Sequence, residues 1–242
     1  MKKIFSISTL LVAALVLTLV SCKPKEASIV VQSVLLDTTD SLTALPDGAR
    51  LKEVFAFQDD LWNTEAHFRL RTIDQIVVSG VQEFEVLPQR NTLLSNKLER
   101  INEVNIFYHA IDQSIAQVAS DTATRKKSSV YATIVHELEL LSKTEANVKK
   151  LYIFSNLLEN QPGFLSLYDL DTKAELEKHP DKILKKFVAY KTLPDLSDIE
   201  IEIIHNPGDS YAEAKVFQQM ADVYQALFEL YNVKSITIKT NH

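Results

Sequence analysis

The stretch IVVQSVLLDTTDS, residues 29–41, decides how this chain is read. From Ile29 to Leu36 apolar residues occupy both alternating sets, Ile29, Val31 and Leu35 on one and Val30, Val34 and Leu36 on the other. That pattern predicts a central strand covered on both faces. The apolar run stops at Asp37-Thr38-Thr39-Asp40-Ser41, five polar side chains at the point where a strand hands over to a turn. Pro46 then opens a helix at its first position, with Leu51, Val54, Phe55 and Leu61 as its inward stripe.

Beyond this unit, short apolar runs alternate with long helical patterns, as in strands joined by crossover helices. His67 to Ile73 alternates, with Phe68 and Leu70 on one face and Arg69 and Arg71 on the other, and Glu83 to Leu87 places Phe84 and Val86 inward. Both read as half-exposed edge strands of an antiparallel hairpin turning near Ser79-Gly80. Leu98, Ile101, Val104, Tyr108, Ile111, Ile115 and Val118 recur at spacings of three and four, which predicts a helix over 97–119. Ser128 or Ser129 can cap a further helix with Tyr131, Ile134, Leu138 and Leu141 inward. Leu151 to Phe154 reads as a buried strand, and residues 160–197 as helical pieces interrupted by Pro180 and closed by Pro194. Ile199 to Ile204 is a strand, Tyr211 to Tyr231 a helix, and Ser235 to Ile238 a last strand. The expected fold class is α/β, a Rossmann-like open and mostly parallel sheet with one antiparallel edge strand and helices on both faces.

The N-terminus carries a different message. Lys2 and Lys3 precede an uncharged stretch from Ile4 to Val20, and Leu19-Val20-Ser21-Cys22 supplies the small residues of a cleavage site. A spanning helix needs about 20 apolar residues, and this run is shorter. The segment resembles the lipobox of bacterial lipoproteins. That resemblance implies a signal peptide over 1–21, acylation of the Cys22 sulfur, cleavage before it, and a lipidated cysteine with a short tether over 22–28. The remaining residues, 29–242, form one domain. The implied location is the cell membrane or outer membrane, with the bilayer held through acylated Cys22 and the domain facing the periplasm or cell surface. Lys23, rather than Asp, after the cysteine resembles lipoproteins passed on to the outer membrane.

Residues 1–21 contribute two lysines and no acid, so their removal takes the net charge from −6 to −8. An acidic surface argues against a nucleic-acid partner. Cys22 is the only cysteine, so no intramolecular disulfide forms in the oxidising compartment and the hydrophobic core must supply the stability.

In open α/β sheets ligands bind outside the carboxyl ends of the strands. Three such tips carry polar groups: Asp37 to Ser41, the helix start holding Ser129 and Thr133, and Ser155-Asn156. The first tip resembles the D-x-S/T-x-S signature of the von Willebrand factor A family, and the order of elements, with its edge hairpin after the first helix, is similar to that integrin I-like fold. The resemblance implies a metal-ion-dependent adhesion site for Mg²⁺ or Mn²⁺. Asp37, Thr39 and Ser41 would be its first-loop ligands, Thr133 or Ser129 its second, and Asn156 would stand where the family has an aspartate. An amide there removes a negative charge from the site. The function implied is a non-enzymatic binding or adhesion module that engages an acidic protein partner through the ion. The alternative is a structural or assembly lipoprotein whose degenerate site is metal-free. Read without the family, Asp37 and Ser41 equally fit caps for the backbone N–H groups of the following turn.

Other chemistries lack their residues. An aspartyl phosphatase wants a second Asp at position 39, where Thr39 stands. His136-Glu137 would begin a zinc-protease motif only with a histidine at position 140, which is Leu140; the pair reads as a helix surface. His67, His109, His179, His205 and His242 have no ligand spacing. Four glycines and no G-x-x-x-x-G-K-S/T exclude a phosphate-cradling loop and a nucleotide. Arg125-Lys126-Lys127 reads as a solvated run, and Phe217, Tyr224, Phe228 and Tyr231 as core.

Overall fold

A computed structural model describes residues 27–39, 44–74, 80–89, 96–121, 127–206 and 211–240. The signal segment, Cys22, Asp40, Ser41, Ser79, Arg125, Lys126 and His242 lie outside them. The first strand, β1 (Ser28–Asp37), is buried on both faces as its sequence requires. A short helix α1 (Gly48–Glu53) follows, opened by Asp47, whose side chain accepts from Ala49 N. The helix carries only Leu51 inward; Phe55 is buried just beyond its end, and Leu61 lies outside it altogether.

Then come β2 (Thr64–Ile73), β3 (Gln82–Val86), α2 (Lys97–Ala119), α3 (Val130–Lys143) and β4 (Val148–Phe154). The weakly patterned region resolves into a two-stranded hairpin, β5 (Asn160–Gln161) with β6 (Leu165–Ser166), and two helices, α4 (Leu170–Lys178) and α5 (Pro180–Tyr190). Pro180 starts α5, where its missing N–H is tolerated. The chain closes with β7 (Ile199–His205), α6 (Tyr211–Leu230) and β8 (Ser235–Thr240).

Six strands form one sheet in the order β3-β2-β1-β4-β7-β8, parallel except for the antiparallel β2–β3 pair. The α/β, Rossmann-like open sheet is therefore present. Alternate residues of the central strands feed two cores. Val31 and Leu35 face α3, α5 and α6 through Ile134, Phe187 and Tyr224, whereas Val30, Val34 and Leu36 face α2 through Phe107 and Ile111. Each fully buried aliphatic or aromatic side chain contributes about 1.5–3 kcal/mol. Among the described residues no helix is long and apolar enough to cross a membrane.

Three expectations are corrected. Of the hairpin pair only β3 is an edge; β2 lies between β1 and β3. Its arginines do not require solvent because α3 brings Glu137 over them: Glu137 is 1% exposed and accepts from Arg69 Nε at 2.7 Å, Arg71 Nε at 3.2 Å and Ser33 Oγ at 2.9 Å. Glu137 is thus an interior residue and not part of a helix surface. In α2 the bounds match, but the inward face is rotated in the first turns. Leu98 is 75% exposed while Arg100 is buried, its guanidinium donating to the carbonyls of Leu61, Thr64 and Leu87.

Candidate functional site at the strand tips

Consecutive crossovers leave β1 toward β2 and β4 toward β7, in opposite directions along the sheet. The switch point between β1 and β4 is where such sheets open a crevice. Asp37 ends β1 there and is buried. Its Oδ1 accepts from Thr39 N at 3.0 Å and from the Thr39 hydroxyl at 2.5 Å, and its Oδ2 accepts from Ser155 Oγ at 2.6 Å across the switch point. Both carboxylate oxygens are therefore engaged by the chain's own loops.

The loop after β4 turns sharply. Leu157 takes a left-handed backbone, φ 62°, which costs a branched L-residue about 1–2 kcal/mol. Two side chains hold the turn: Leu157 N donates to Ser155 Oγ and Leu158 N donates to Asn156 Oδ1, each at 2.9 Å. The start of α3 docks on the same loop, with Ser128 Oγ donating to Leu158 O and Asn160 N to Ser128 O. The β1 tip is thus joined to the β4 tip through Asp37 and Ser155, and the loop after β4 to the start of α3 through Ser128; the candidates Thr39, Asn156, Ser129 and Thr133 lie on these segments. Two of these side chains are engaged locally. Thr133 Oγ1 donates to Ser129 O one helical turn back, and the Asn156 oxygen serves the turn. Ser41, the remaining first-loop candidate, and the lipidation residue Cys22 lie outside the described residues.

Ser129 precedes α3 without a side-chain cap. Glu159 supplies one from the loop beyond β4, its Oε2 accepting from Tyr131 N at 2.7 Å. Burial pushes the Glu159 carboxyl up to about 8, the Tyr131 and Val130 N–H groups oppose that shift, and the nearby Asp37 charge adds to it. Its Oε1 and the buried Tyr224 hydroxyl find no hydrogen-bond partner among the described residues. Burial, followed by the Glu159 charge, raises the Tyr224 phenol well above its ordinary range.

Outside this buried layer a cavity of about 220 Å³ opens over β1, β4 and β7. Thr39, Asn156, His205 and Glu213 line it together with the apolar side chains of Leu158 and Phe217, and Tyr168 completes its wall. His205, the last residue of β7, packs its ring on Phe217 with centroids 4.7 Å apart. Sequence reading misses Glu159, His205, Glu213 and Tyr168. Each comes from a separate segment, and none sits in a local pattern that marks it. Among the described residues no three His, Cys, Asp or Glu side chains gather to hold a metal ion.

No protein-family model matches this sequence, and no curated protein matches it.

Proposed function

We propose that this chain is a membrane-anchored, non-enzymatic binding module of the bacterial cell envelope, resembling a von Willebrand factor A domain, whose strand-tip site works without a metal. The observation that carries this reading is the state of Asp37, with one oxygen taken by Thr39 and the other by Ser155. Mg²⁺ needs hard oxygen ligands in near-octahedral order and favours carboxylates. Asn156 is neutral, Thr133 bonds back into its own helix, and Glu159 is committed to the start of α3. This donor set suits a structural knot better than a cation, so the fold is used as a scaffold and the partner docks on its surface. Catalysis is disfavoured because Ser155, the hydroxyl bonded to Asp37, is fully buried and also accepts from Leu157 N.

Thermal unfolding of the full-length chain in detergent micelles, with Mg²⁺ or with EDTA, tests the reading. Equal melting is expected. A cation present at a hundred times its dissociation constant would instead stabilise the chain by about 2.7 kcal/mol, and a rise of that kind that Asp37→Ala abolishes would overturn the proposal. Asn156→Asp, which keeps the oxygen that accepts from Leu158 N, should create a metal-dependent rise that the parent chain lacks.

A further inference from the structure

The six-stranded sheet ends in two edges of different character. β3 is five residues long, carries Glu83 and Glu85 with side chains 54% and 60% exposed, and runs on to Pro88. Charges and a nearby proline keep other strands away from an edge. β8 has none of these guards except one lysine. Its sequence SITIKT holds no proline, glycine or carboxylate, and four of its six residues are β-branched. Lys239, its only charge, is held by Glu202 at 3.1 Å. β8 pairs in unbroken register with β7 from Ser235 to Thr240, so no bulge twists its free side away. Among the described residues, no backbone bond of 235–240 reaches anything other than β7. The N–H and C=O groups on the other side of the strand therefore face outward.

The two faces beside this edge decide what fits it. On one, Ile236 and Ile238 continue the rows of Ile201 and Ile203 and lie half-buried against the core beneath α6. On the other, Ser235 continues the row of Lys150 and Glu200, and Ser235 and Thr237 are exposed. Glu200 there is shared by Lys150 at 3.3 Å and Lys234 at 2.9 Å, and Glu202 by Lys239 and Arg50. Four cations against two carboxylates leave this face with two net positive charges, in a chain whose net charge is −6. A second copy is a poor occupant, because pairing β8 with itself about a two-fold axis sets two surfaces of the same positive sign side by side. An acidic strand is complementary, with acids on the lysine face and its alternate, apolar residues on the isoleucine face.

We propose that β8 is a docking edge to which an extended segment of a partner protein, alternating acidic and apolar residues, adds a seventh strand. The proposal stands whether or not the tip of β1 holds a cation.

The test is a titration of the full-length chain in detergent micelles with the peptide acetyl-EVEVEVE-amide, and with acetyl-KVKVKVK-amide as its basic counterpart. The acidic peptide should bind at least about tenfold more tightly than the basic one. Lys234→Gln combined with Lys239→Gln should weaken it about fivefold, as expected for exposed ion pairs. Both lysine side chains are largely open to solvent, so the variant keeps its fold. Hydrogen exchange locates the peptide: the amides of 235–240 should slow on binding while those of 82–86 do not change. Failure of the acidic peptide to bind, equal affinity for the two peptides, binding untouched by the lysine substitutions, or slowing at 82–86 instead of 235–240 overturns the proposal. So does slowing at 235–240 that grows with protein concentration in the absence of peptide, which would assign the edge to a second copy.

Discussion

Glu159 caps a helix by accepting from Tyr131 N, 28 residues earlier in the chain, and its burial there sets its titration. A carboxyl pushed from 4.5 up to about 8 holds its proton more tightly in the folded chain than in the unfolded one. Between those two values the folded state binds more protons, so stability falls as pH rises. The stabilisation is complete below pH 4.5 and is lost by about pH 8, a change on the order of a few kcal/mol at 1.36 kcal/mol per unit. Glu159→Gln keeps an oxygen for Tyr131 N and cannot ionise. The variant should therefore match the parent chain at pH 5, exceed it at pH 8.5, and show a flatter dependence of urea midpoint on pH. Parallel pH profiles for the two chains would show that Glu159 is not held neutral by burial. None of this is legible locally, because Glu159 follows Leu157-Leu158 in a segment with no capping pattern and meets α3 only once β4 is in the sheet.

At the scale of elements, α3 is joined to the sheet by charge as well as by its apolar face. Glu137 meets Arg69, Arg71 and Ser33 in a layer where Arg71 and Ser33 are themselves buried. Removing one partner from such a buried network costs about 3–5 kcal/mol. Glu137→Leu should therefore lower the unfolding free energy by about that amount. Adding Arg71→Leu should restore a good part of it, since Arg69 keeps Glu83 as a partner. A single-variant loss below about 1 kcal/mol, measured by urea unfolding, would contradict the buried network. The same feature explains what periodicity reads and what it misses. The bounds of α2 and α3 follow from apolar spacing, and β1 and β4 from continuous apolar runs. Arg100 and Glu137 escape that reading because a charged side chain turns inward only where carbonyls or guanidinium groups wait for it. Those acceptors and donors belong to β2, β3 and their flanking loops, far away in the sequence. The same blindness made β2 look like an edge strand.

At the scale of the whole molecule, the switch point was legible because a continuous apolar strand ending in Asp37 must lie centrally, whereas the cavity beside it was not, since Tyr168, His205 and Glu213 reach it from three separate segments. The direction of the strands then ties the anchor to the site. If Cys22 carries the lipid, the chain enters the domain at Ser28, the amino end of β1, and Asp37 lies at the other end. Ten residues at about 3.3 Å each place the tips about 30 Å farther from the tether than Ser28. The six residue-to-residue steps from Cys22 to Ser28 span at most about 20 Å, which keeps the amino end near the bilayer. The cavity should therefore face away from the membrane, into the aqueous space. Glu145, in the exposed turn before β4, marks the near end, and Glu213 marks the far one. With Cys22 lipidated in vesicles, a fluorophore on Glu145→Cys should be quenched by a lipid-borne quencher, and one on Glu213→Cys should not. Cys22→Ser should abolish incorporation of radiolabelled palmitate and remove the difference between the two positions. Stronger quenching at position 213 than at 145 would mean that the tips face the bilayer, which would contradict this orientation.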